Sequence, residues 1–184
     1  MAAFPQRLVG KRIAIFVDYT FEDVEVMFPK YRLEEEGAEV VIVGAHPAGT
    51  KYTGKHGYPL KSTTHISDLG DVDGIVLPGG FAPDYMRRNP AMLAAIVAAV
   101  AADKAVAAIC HGPWMYCSAR LESGAPVVKG RRCTSFVAIK DDLINAGATF
   151  VDEPVVVDGP LISSRTPDDI VPFCHAIISR VAAQ

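Results

Sequence analysis

Several things this chain lacks narrow what it can be. Its 184 residues include four cysteines, but no Cys-x-x-Cys pair. No histidine spacing matches a zinc site, so no metal is expected. It has no phosphate-cradling glycine loop and no nucleotide fingerprint, so no cofactor is expected either. It has no marked excess of one charge: 18 Lys and Arg stand against 21 Asp and Glu, a net charge of −3. Nothing in that balance calls for nucleic acid or an anionic membrane as partner. The longest apolar run, residues 92–102, is too short to span a bilayer as a helix. Residues 1–12 hold no apolar core of a signal peptide. The expectation is a cytosolic protein. Repeats, low-complexity stretches and linkers are absent, so residues 1–184 read as one domain.

The chain alternates strand and helix patterns. Residues 12–17, 40–43, 74–77 and 105–109 are short apolar runs and read as strands. Residues 22–36 read as a helix ending at Gly37, with Val24, Phe28 and Tyr31 as its apolar positions and Pro29 as a kink. Between Gly44 and Gly70 a small hairpin is expected. Asn89-Pro90 is a cap followed by proline at the first helical position. Residues 127–128 give a weak strand signal and 139–145 a weak helix signal. Val155–Val157, Asp158-Gly159 and Leu161–Ser163 read as a hairpin. Thr166-Pro167-Asp168-Asp169 opens a last helix, with threonine as cap. Such alternation implies a mostly parallel sheet with helices on both faces. The active crevice then lies at the carboxyl ends of the strands.

Three strand ends carry polar or glycine-rich segments: Asp18–Glu22, Pro78-Gly79-Gly80 and Cys110-His111. The run Val106-Ala-Ala-Ile-Cys-His-Gly-Pro113 places a cysteine where a buried strand turns sharply into a helix. A nucleophile at such an elbow is held exposed. The following helix start favours a thiolate, so Cys110 is expected to titrate well below a free thiol. Cys117, Cys133 and Cys174 read as inert buried thiols. Glu22 at the start of the first helix is the expected carboxyl against Cys110. Beside a thiolate it would stay protonated and relay a proton. The backbone N–H groups of Gly80, beside Gly79, and of His111 are the expected oxyanion donors. His111 is the expected general base. His46, His56, His65 and His175 read as solvated or structural.

The segments Phe21-Glu-Asp-Val-Glu25, Gly54-Lys-His-Gly-Tyr58, Leu77-Pro-Gly-Gly80, Ala108-Ile-Cys-His-Gly-Pro113, Lys140-Asp-Asp-Leu-Ile-Asn-Ala-Gly147 and Ser163-Ser-Arg-Thr-Pro167 resemble the PfpI/ThiJ superfamily, most of all its intracellular-protease-I branch. The likeness runs in order from Arg12 to Val181. It implies a flavodoxin-like three-layer α/β sandwich related to class I glutamine amidotransferases. It also implies Cys110 as nucleophile and Glu22 as its protonated partner. In the protease-like branch an acid after Pro-Gly-Gly arrives from a neighbouring subunit to orient the histidine. That position is Asp84 here, which implies a homo-oligomer, at least a dimer. Phe136 stands where the branch often has a tyrosine, so a hydroxyl is missing near the site.

The resemblance leaves three functions in competition, all resting on Cys110. One is a stress-related enzyme on reactive carbonyls, of the glyoxalase III or deglycase type. Its substrate would be methylglyoxal or its adducts on proteins and peptides. Another is an intracellular cysteine peptidase pairing His111 with Asp84. The third is a redox sensor or chaperone.

Overall fold

The computed structural model describes residues 6–184 of the chain; the part of the leader reading that concerns residues 1–5 lies outside them. Among the described residues one seven-stranded sheet runs in the order β10-β11-β7-β6-β1-β2-β5. Its strands are β1 (Arg12–Phe16), β2 (Glu39–Gly44), β5 (Thr64–His65), β6 (Gly74–Leu77), β7 (Ala105–Ile109), β10 (Val155–Asp158) and β11 (Leu161–Ser164). Every pairing in the sheet is parallel except β10 with β11. All residues of β6 and β7 are buried, as strands covered on both faces must be.

The helices are α1 (Asp23–Glu35), α2 (Ala82–Met86), α3 (Pro90–Ala101), α4 (Trp114–Ser118), α5 (Lys140–Asn145) and α6 (Ile170–Ala182). Helix α1 packs on α6 and β2, and α3 packs on β6 and β7. The excursion after β2 is the expected hairpin, β3 (Lys51–Thr53) against β4 (Pro59–Lys61). Asn89 caps α3 as its sequence implies, accepting from the N–H groups of Ala91 and Met92.

Four features differ from the sequence reading. Residues 127–128 form a turn; the nearby strand is β8 (Arg132–Cys133), paired with β9 (Thr149–Phe150). Thr166 gives no side-chain cap, because a 3₁₀ turn at Pro167–Asp169 precedes α6. Helix α2, too short for a periodic signal, was not legible. The fourth concerns α1. Its buried residues are Glu25, Val26, Pro29 and Leu33, while Val24 and Tyr31 are 40% and 56% exposed. The helix is therefore rotated from the face that its aromatic residues suggested.

Candidate active site

β7, β6 and β1 are neighbours, so their carboxyl ends form one rim. Cys110 follows β7 directly and sits at φ +61°, in the left-handed region that L residues adopt only under constraint. The Cys110 N–H donates to the Ser164 carbonyl, and its own carbonyl accepts from the Phe136 N–H. These bonds hold the strained turn. The sulfur lines a cavity of about 700 Å³ together with Thr20, Glu22, Lys55, His56, Gly80, Phe81, His111, Trp114, Phe136 and Pro167.

The carboxyl against the sulfur is Glu25 and not Glu22. Glu25 is fully buried on α1, and one of its oxygens accepts from the Gly79 N–H at 2.6 Å. A Cβ built on Gly79 would lie 2.7 Å from Cys110 Cβ and 2.9 Å from a Glu25 oxygen, so the two side chains face one another there, while Glu25 Oε1 is buried without a hydrogen-bond partner. Glu22 precedes α1 and points to the cavity rim. Its two oxygens meet Lys55 Nζ at 3.1 Å and His56 Nε2 at 3.0 Å. One turn of helix separates the two acids: Glu25 lies on the buried inward face, and Glu22 lines the cavity with Cys110.

Burial pushes the Glu25 carboxyl up to about 8, with Glu22 adding to the rise and the Gly79 N–H opposing it. The expectation of an acidic Cys110 is overturned as well. Burial, followed by the adjacent Glu25, pushes the thiol up to about 12; the N–H groups of His111 and Gly80 pull the other way. The helix start cannot compensate, because α4 has only five residues and begins at Trp114. The carboxyl, at about 8, gives up its proton well before the thiol, at about 12. Near neutral pH both groups are mostly uncharged.

The two glycines divide the work that was expected of Gly79 and Gly80. The Gly79 N–H is committed to Glu25 and is not an oxyanion donor. A Cβ at Gly79 would lie 2.7 Å from Cys110 Cβ and 2.9 Å from the Glu25 oxygen, so the pair needs a glycine there. Gly80 sits at φ +69°, and its N–H, like that of His111, acts to lower the Cys110 pKa against the burial.

His111 does turn back onto its neighbour: Nδ1 lies 3.3 Å from the sulfur. No carboxylate holds it among the described residues. Aromatic rings do, with Phe136 stacked at 5.1 Å and Trp114 edge-on at 5.2 Å. Arg87 lies over the Trp114 ring at 5.4 Å and is fixed by a 2.8 Å bond to Ser118. Burial and then Lys55 lower the imidazole pKa, which keeps the ring neutral. Phe136, noted for its missing hydroxyl, thus forms one wall of the histidine's slot. Asp84 lies on α2 and pairs with Arg88 in its own chain. It does not reach the His111 of the same chain.

Glu22, Asp23 and His56 bring three potential metal-ligating atoms within 4.8 Å of one another. Each carboxylate oxygen already has a protein donor: Lys55 and His56 on Glu22, and the N–H groups of His56 and Tyr58 on Asp23. The group serves to tie the hairpin tip to the rim.

Residues 11–180 match the model of the DJ-1/PfpI family. The chain belongs to that family. It is 43% identical to the deglycase PfpI of Pyrococcus furiosus, over 86% of this chain and 92% of that protein. It is 40% identical to YraA of Bacillus subtilis, whose name proposes a cysteine protease, over 90% and 95%. Among solved structures, a two-domain protein from Anabaena variabilis with DJ-1/ThiJ/PfpI-like and ferritin-like domains superposes with a TM-score of 0.87 and 39% identity. The match covers 93% of this chain and 48% of that one, so the chain spans about half of that protein. Drosophila DJ-1beta shares the flavodoxin-like fold, with a TM-score of 0.85 at 23% identity, over 95% and 91%. No helix among the described residues is long and apolar enough to cross a membrane.

Proposed function

We propose that the protein is an enzyme that uses Cys110 as a nucleophile on reactive carbonyls, methylglyoxal or its early adducts on protein side chains. One observation carries this reading. The buried Glu25 carboxyl, held on the Gly79 N–H and with its pKa raised by burial, lies beside Cys110, while among the described residues no carboxylate holds His111. Addition to an aldehyde puts one proton on the carbonyl oxygen, and near neutral pH the Glu25 carboxyl carries one to give. The sulfur electron pair forms the S–C bond, and the carbonyl π pair moves to oxygen. That oxygen takes the Glu25 proton while the thiol proton passes to the Glu25 carboxylate, leaving a neutral hemithioacetal on Cys110 and a protonated Glu25. The N–H groups of Gly80 and His111 face the developing charge.

The test is turnover of methylglyoxal, of its adduct with N-acetyl-lysine, and of a casein peptide by the pure protein, beside Cys110→Ala and Glu25→Gln. Turnover of the carbonyl substrates, lost in both variants, is the expected result. Peptide hydrolysis that survives Glu25→Gln contradicts the reading.

The 3.3 Å contact between Cys110 and His111 favours a second reading, a cysteine peptidase whose His111 is oriented by Asp84 of a second copy. Asp84 would have to leave Arg88 to do so. Peptidase activity would then fall on dilution as copies separate. Activity independent of concentration removes this reading.

A further inference from the structure

A second cavity opens behind Phe136. It holds about 490 Å³ and is lined by Ser135, Phe136, Val137, Lys140, Phe150, Asp152, Arg165 and Thr166. Phe136 also lines the cavity of Cys110, and Thr166 adjoins Pro167, which lines that cavity too. The two cavities therefore share a wall. Three features of the second one are unused by the chemistry at the sulfur.

The first is apolar surface left open to solvent. Val137 is 70% exposed beside the partly buried Phe136 and Phe150 rings. The second is a cation without an anion. Lys140 Nζ lies over the Phe150 ring at 5.4 Å and forms no ion pair among the described residues. The third is that Asp152, the one acid of this lining, is engaged by Arg165. Arg165 holds Asp152 and Asp169, each at 2.9 Å. Asp141 and Asp142 follow Lys140 on α5 without pairing to it. A carboxylate brought in by a ligand would find Lys140 free to meet it.

We propose that this second cavity is a subsite for the peptide chain that flanks a modified side chain, with Lys140 recognising an acidic residue of that chain. The proposal rests on the carbonyl-directed reading of Cys110 for its substrate class. The modified side chain enters the cavity of Cys110, and the flanking residue passes Phe136 into the second cavity. There its stem packs on Val137 and Phe150 and its carboxylate meets Lys140. A free three-carbon dicarbonyl would fill only a small part of the first cavity and use none of the second.

Binding and turnover test this separately. A fluorescent peptide carrying lysine flanked by glutamate is titrated into Cys110→Ala, and into that variant with Lys140→Glu added, with anisotropy as the readout. The subsite predicts an affinity loss of at least tenfold on Lys140→Glu, shrinking as salt is raised. A peptide with lysine in place of the flanking glutamate should reverse the preference. Equal binding by the two proteins, or no binding to either, overturns the subsite. With the methylglyoxal-modified peptides, Lys140→Glu should raise KM for the acidic one while kcat holds. A fall in kcat with KM unchanged also overturns it. If the peptides bind as expected but the adducts are not turned over, the carbonyl-directed reading fails and the subsite stands.

Discussion

Helix α1 carries a buried glutamate near each end, and the two have opposite fates. Glu36, just past its C-terminal end, is answered by Arg7 at 2.9 Å and also meets Arg32. Those cations, Arg7 foremost, pull its carboxyl down to about 2. Glu25, in the first turn, faces no cation at contact distance. It has one backbone N–H and a sulfur, and burial pushes it up to about 8. A buried carboxylate with its cations is a fastening. A buried carboxyl kept short of them stores a proton near neutral pH, which is what a site for proton transfer requires.

The largest effect should come from reversing these roles. Glu25→Gln is expected to lower carbonyl turnover by about 10²–10⁴, the usual range for a lost proton-transfer group. Glu36→Gln should leave turnover near the parental value and cost about 1–3 kcal/mol of stability, because its arginines lose a buried partner. Chemical denaturation beside steady-state kinetics measures both. Equal kinetic losses in the two variants would erase the distinction.

The two acids should also bend stability in opposite directions with pH. The folded pKa of Glu25 is raised, so its contribution is fully present below 4.5 and is lost as pH climbs toward about 8. The slope is roughly 1.4 kcal/mol per pH unit across that window. Glu36 is depressed, so its contribution is present above 4.5 and is lost as pH falls toward about 2. Unfolding free energies measured from pH 3 to pH 9 should lose their neutral-range decline in Glu25→Gln and their acid-range decline in Glu36→Gln. Retention of the neutral-range decline in Glu25→Gln would mean that another group causes it.

The sequence reached the neighbourhood of Glu25 and stopped one helical turn short. Strand–helix alternation and the elbow at Cys110 were legible, because each rests on local pattern. The rotation of α1 was not. Val24, Phe28 and Tyr31 look like a core stripe, yet the helix turns Val26, Pro29 and Leu33 inward, and Glu25 shares that face. Reading positions 25, 29 and 33 as one buried row would have singled out Glu25, since a charged residue in such a row asks for a reason. The aromatic slot of His111 joins three separate segments, so spacing in the chain could not reveal it. The thiol's rise to about 12 depends on burial beside Glu25, which the turn motif alone does not encode.

A smaller effect should come from the histidine slot. Phe136→Leu opens one wall of the imidazole, so its titration should move up toward the ordinary histidine value, readable from ring-proton NMR shifts. Turnover should fall about threefold to tenfold, since removing an aromatic contact costs roughly 0.5–1.5 kcal/mol. Arg87→Met, which loosens Trp114, should produce the same shift more weakly. An unmoved titration in both would show that the rings only fill space.

The central claim is that Glu25 stays protonated beside Cys110 at neutral pH. Infrared spectroscopy reads it directly through the carbonyl stretch of a buried, protonated carboxyl. The band should persist at pH 7, fade as pH rises through about 8, and be absent from Glu25→Gln. A band already gone by pH 6, or one unchanged in Glu25→Gln, would contradict the account.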